Sequence, residues 1–112
     1  MMRHHQGSAR LLVSDAIEAI RDGDLGKAAL YMGDAGKEYK TAASLDSVHG
    51  VKEKGYRLLL KSGRAESLSI GLKLVNDERR GRRDMLIEGR GAREMFAEEM
   101  KLAKALIERI RK

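Results

Sequence analysis

The sequence predicts an all-α protein, an antiparallel up-down bundle of four to five helices. Three observations predict it. The chain has 112 residues and no proline, so nothing forces a helix to stop by removing a backbone N–H. Alanine, leucine, glutamate, lysine and arginine dominate, while the β-branched residues are sparse, which is a helix-former's composition. Apolar residues recur at three- and four-residue intervals, and no segment alternates apolar and polar as a half-buried strand would.

The first helix is expected from Ser8 to Arg21, with Ser8 as N-cap, after a flexible tail over residues 1–7. Ala9, Leu12, Val13, Ala16, Ile17 and Ile20 share one face of it. Asp22-Gly23-Asp24 ends it: Gly23 can adopt the left-handed closing conformation, and Asp24 can cap the next helix. That second helix is expected from Leu25 to about Ser44, with a stripe of Leu25, Ala28, Ala29, Met32, Ala35, Gly36, Tyr39, Ala42 and Ala43. Most of these side chains are small. Gly33 and Gly36 cost about 1 kcal/mol each against alanine inside a helix, which a close crossing with a neighbour would explain.

The third helix is expected to start near Asp46 and to run past Leu72, with Gly63 as a possible break. Its stripe is Val48, Val51, Gly55, Leu58, Leu59, Ser62, Ala65 and Leu72. Leu58-Leu59-Leu60, Leu68 and Ile70 make it apolar on more than one side, so it is expected to meet two neighbours, or one neighbour and a partner. Asn76 to Gly91, with Gly81, Gly89 and Gly91 among many charges, reads as a frayed helix or a mobile connector inside a single domain spanning residues 8–112. The last helix is expected over Ala92 to Arg111. Phe96, Met100, Ala103, Ile107 and Ile110 form its stripe, and Leu102 and Leu106 widen it. Glu94, Glu98 and Glu99 come early and Arg109, Arg111 and Lys112 late, an order that complements the helix dipole. Short loops between such helices favour antiparallel neighbours.

Composition narrows the function classes. With no cysteine, disulfides and thiolate metal sites are excluded. No apolar run approaches the ~18 residues of a membrane span, and MMRHHQGSAR lacks a signal peptide's apolar core. The expectation is a cytoplasmic protein. The formal net charge is +6. Residues 1–45 are neutral, and the excess lies in the second half, densest at Arg79-Arg80-Gly81-Arg82-Arg83. A basic surface favours anionic partners, and Arg79, Arg80, Arg82 and Arg83 are candidate phosphate-binding residues. None of the four aromatic residues, Tyr31, Tyr39, Tyr56 and Phe96, interleaves with these arginines, so stacking on single-stranded bases is poorly supported.

No catalytic constellation stands out. His4 and His5 lie in the expected tail. His49 and Glu53 are one turn apart and read as a surface pair rather than a metal half-site. Glu94 and Glu98 lack the Glu-x-x-His elements that a dimetal bundle needs. Gly33-Asp34-Ala35-Gly36-Lys37 is too short for a phosphate loop. The protein is therefore expected not to be an enzyme and to carry no metal or cofactor.

Two stretches carry a family resemblance. The Gly-Asp-Leu-Gly-Lys-Ala-Ala-Leu-Tyr and Ala-Gly-Lys-Glu-Tyr segments, within Gly23–Tyr39, resemble a tetratricopeptide-type helical hairpin, in which alanines let two antiparallel helices pack closely. VKEKGYRLLLKSGRAESL, residues 51–68, resembles the third helix of microtubule-interacting-and-transport (MIT) domains, with its Arg64-Ala65-Glu66-Ser67-Leu68 segment. The two together span about residues 9–74. MIT domains are three-helix bundles that dock a partner's amphipathic peptide beside helix 3. The resemblance implies a non-catalytic protein-interaction module, an adaptor or a self-associating protein. Leu58, Leu59, Leu60, Ala65 and Leu68 would divide between core and groove, with Leu58, Leu59, Leu60 and Leu68 as the candidates for a peptide groove or dimer surface, and Lys61 and Arg64 on the rim for an acidic helical peptide. The interior glycines and the C-terminal helix depart from the MIT pattern, and that helix would fill the groove or support a homodimer. The HEPN ribonucleases are bundles of similar size, but no arginine stands at their motif's distance before His49. The alternative reading is a nucleic-acid-binding protein centred on the arginine cluster.

Overall fold

The computed structural model describes residues 2–48, 52–81, 86–87 and 90–112. It is all-α, as the sequence predicts: α1 (Met2–Arg21), α2 (Leu25–Val48), α3 (Lys52–Arg79), α4 (Ala92–Met95) and α5 (Ala97–Arg111). The exception is a minimal antiparallel ladder, β1 (Leu86–Ile87) with β2 (Arg90–Gly91), which pairs Leu86 with Gly91 and Ile87 with Arg90.

α1 starts at Met2, six residues before the expected Ser8, so Ser8 lies inside the helix and caps nothing. No proline interrupts residues 2–7, and one glycine costs only about 1 kcal/mol. The turn to α2 forms as expected. Gly23 has φ +82°. Its N–H donates to Ile20 O at 3.0 Å and that of Asp24 to Ala19 O at 2.8 Å, the double closure of a Schellman motif. Asp24 Oδ1 then accepts the Lys27 N–H at 3.0 Å and caps α2.

α2 runs on to Val48, so Asp46 ends inside it rather than capping the third helix. Its polar tail does not compete with the helix. Thr41 and Ser44 turn their hydroxyls back onto the carbonyls of Lys37 and Lys40 at 3.1 and 3.2 Å. α3 is unbroken at Gly63, because the packed residues on both sides of that exposed position hold the helix. It also continues through Asn76, since Val75 is still buried at 1% exposure. Gly81, at φ +70°, closes it. The last helix is split at Phe96 (φ −114°, ψ 33°), which ends α4 and starts α5. The kink keeps its neighbours bonded: Phe96 N–H donates to Ala92 O and Met100 N–H to Phe96 O, both at 3.0 Å.

α2 packs most extensively against α3 and also against α1, while α5 lies along the other side of α3. Facing residues fix the directions. Ser62 meets Gly36 and Ser69 meets Ala29, so α2 and α3 run antiparallel. Gly71 faces Glu99 and Ala103, and Glu78 is paired with Arg93 and Lys104 at 3.6 and 3.3 Å.

The helices come close where the sequence is small. A Cβ placed on Gly33 would lie 3.0 Å from Ser69 Oγ, and one on Gly36 would lie 3.3 Å from Ser62 O. This is the close crossing that the two glycines predicted. A tighter approach lies at Gly71: a Cβ there would run into the Glu99 carbonyl of α5 and the Ala103 side chain.

The buried residues form two cores. Four helices share the first, which is centred on Ile20, Met32, Leu72, Val75, Met100 and Ile107. The second lies toward the start of α3 and involves three helices: Ala9, Ala35, Tyr39, Ala42, Ala43 and Leu58. The difference follows from helix length. α3 has 28 residues and α5 only 15, so α3, about 42 Å long at 1.5 Å per residue, outruns its neighbour. The molecule measures 47 × 33 × 18 Å, elongated to match.

Candidate functional site

Where α5 runs out along α3, a groove of about 620 Å³ opens. Leu59, Leu60, Gly63, Arg64, Ser67 and Leu68 line one wall from α3, and Leu102, Ala105, Leu106 and Arg109 line the other from α5. Helix periodicity explains the first wall. Leu60, Arg64, Ser67 and Gly71 recur at four- and three-residue steps on one face of α3. At Gly71 that face is covered by α5, and toward Leu60 it is bare. Leu60 is 57% exposed, Leu59 48% and Leu102 52%. Apolar surface gathered in this way usually marks an interaction site.

Four of the six residues expected at a peptide groove line it: Leu59, Leu60, Arg64 and Leu68. The other two lie elsewhere, and both are corrections. Leu58 is 2% exposed and belongs to the second core, because its position on the helix points it at α2. Lys61 leans the other way, with its Nζ 5.8 Å from the Tyr39 ring centroid. It borders a smaller hollow of about 260 Å³ against α1 and α2, not the groove. Sequence reasoning has the last helix filling the groove or supporting a homodimer, but names none of its residues as a groove wall. The signal was there in Leu102 and Leu106, which widen the stripe of that helix past what one neighbour can cover. The C-terminal helix forms one side of the groove rather than filling it.

The arginine cluster is only partly within the described residues. Arg79 and Arg80 border a polar recess of about 370 Å³ at the tip of the α1–α2 turn, together with Asp22, Asp24 and Asn76. Two carboxylates beside two guanidiniums offset much of the positive field a phosphate would feel. Arg82 and Arg83 lie outside the described residues, as does His49. Gly33 to Lys37 is interior to α2, as far from a phosphate loop as the sequence suggested.

Among the described residues no group of three or more histidine, aspartate or glutamate side chains could hold a metal ion. No described helix is long and apolar enough to cross a membrane. Compared with known proteins, the chain matches no family model, no curated protein and no solved structure.

Proposed function

We propose that this protein is a non-catalytic helical interaction module whose α3–α5 groove takes the apolar face of another helix. One observation carries the reading: the groove of about 620 Å³, walled by leucines of two helices and left open where α5 ends. Arg64 and Arg109 stand on its walls, so a helix with acidic residues flanking its apolar stripe is the best electrostatic fit. The resemblance to MIT modules supports the same reading, since their partner helices dock beside helix 3. Helix-in-groove recognition needs only an apolar slot and spaced anchors, and asks for no reactive side chain.

A phage-displayed library of amphipathic helical peptides tests the reading. Selected peptides are expected to carry acidic residues beside an apolar stripe. Their affinity is expected to fall at least tenfold on Leu60→Glu, with the circular-dichroism spectrum unchanged. Peptides that bind wild type and variant equally, or a library that yields none, would overturn it. Moderate salt should leave most of the affinity in place, because burial of apolar surface is not screened.

A further inference from the structure

The outer face of α5 has a symmetry of its own. Glu98, Leu102, Ala105 and Arg109 lie at i, i+4, i+7 and i+11, and so share one face. All four are exposed, while Met100, Ala103 and Ile107 are buried on the opposite side. The stripe reads acid, leucine, alanine, base, and it is its own complement when reversed. Laid antiparallel on an identical helix about a two-fold axis between Ala103 and Lys104, each Glu98 meets an Arg109, and each Leu102 meets an Ala105.

We propose that the groove's occupant is a second copy of this chain, docked through α5 in this register as an isologous dimer. The proposal rests on the interaction-module reading above and names its partner. Charge complementarity carries it. No ion pair engages Glu98, Arg64 or Arg109 among the described residues. In this register Glu98 of the second copy arrives at the level of Arg109. Arg64 lines the facing α3 wall of the same groove as Arg109. One carboxylate thus lies between two guanidiniums, and the axis repeats the arrangement. Leu102 of the second copy enters the groove at the level of Leu106 and Leu68. Met95, itself 38% exposed, is carried toward Leu60 beyond the end of α5. Each copy thereby covers the leucines that the other leaves bare. The interface is isologous, so the same patch serves both partners and the assembly closes at two. The apolar contacts supply affinity, and the charge pairs fix register and exclude a parallel arrangement.

Sedimentation equilibrium on the purified full chain tests this. Wild type is expected to show a reversible monomer–dimer equilibrium. Leu102→Glu, Glu98→Arg and Arg109→Glu are each expected to shift it at least tenfold toward monomer, with unchanged circular-dichroism spectra. Glu98→Arg mixed with Arg109→Glu should form a heterodimer, because both 98–109 pairs across the axis are then opposite in sign. A dimer indifferent to these substitutions, or a failure of the two charge variants to pair, would overturn the proposed register. A wild-type monomer at millimolar concentration would overturn the dimer itself. Library peptides that still bind the groove of that monomer would leave the broader interaction reading standing, so the two failures are distinguishable.

Discussion

The hydroxyl of Ser62 donates to the carbonyl oxygen of Gly36 at 2.8 Å, across the crossing of α3 and α2. Ser62 is the one buried polar residue among the described side chains, at 4% exposure. A hydroxyl can lie there because Gly36 has no side chain to hold the helices apart. Ser69 repeats the device seven residues on, bonding Ala29 O at 2.7 Å. Replacing Ser62 by alanine removes the donor but leaves the Gly36 carbonyl in its own helix. The expected loss is about 1 kcal/mol, the usual net worth of such a bond, read by urea denaturation. Ser62→Leu, which forces the crossing apart, should cost more.

Gly71 and Gly63 are predicted to respond in opposite directions to alanine. At Gly71 the new Cβ would run into the Glu99 carbonyl in the backbone of α5, and neither helix can yield without repacking. A loss of about 3 kcal/mol is expected, at the upper end for overpacked sites. At Gly63 nothing lies within 4 Å, so alanine should stabilise by about 0.4–1 kcal/mol through helix propensity and reduced unfolded-state entropy. Thermal melts of the two variants check both signs.

Leu58 and Leu59 are adjacent but serve different ends. Leu58→Ala is expected to cost about 2–5 kcal/mol, as for other buried leucines, because that side chain is 2% exposed. Leu59→Ala should stay within about 1 kcal/mol of wild type, in line with substitutions at exposed positions, while weakening any helix bound in the groove. Chemical denaturation measures the first effect and peptide affinity the second.

Asp24→Ala removes the side-chain acceptor of the Lys27 N–H at the start of α2. The expected cost is about 1 kcal/mol, typical of a lost N-cap, and a urea titration reads it. Asp24→Asn should recover most of it, since the amide oxygen can still accept.

The arginine cluster is predicted to bind nucleic acid weakly at physiological salt, because Asp22 and Asp24 share the recess with Arg79 and Arg80. Fluorescence anisotropy with a labelled oligonucleotide measures it. Tight, salt-sensitive binding lost on Arg79→Glu with Arg80→Glu would move the function to that surface.

Most of the fold was legible because helix periodicity is written locally. Every residue placed on the α2 stripe is buried, and the Asp22-Gly23-Asp24 turn forms as its chemistry requires. Helix ends were less legible. Asp46 has a capping side chain, yet it lies within α2, and Gly63 can break a helix but does not. Packing on a neighbour outweighs both preferences. Leu58, Leu59 and Leu60 show the same limit at the site. The triplet announces surplus apolar surface, but only the position of α2 and α5 around α3 decides which leucine is core. Gly71 was silent for that reason: nothing in the sequence beside it tells that another backbone passes there.

The unequal lengths of α3 and α5 also bear on how the molecule opens. One end is clamped by four helices around Ile20, Met32, Leu72 and Ile107, and the other by three around a mostly alanine core. Alanines bury little apolar area, so the second end contributes less of the free energy that holds amides closed. Amide hydrogens of α2 beyond Tyr39 and of α3 before Ser62 should therefore exchange through partial opening, well before those near Leu72. The chain would then come apart from its alanine end, like a clip whose hinge is the Gly71 crossing.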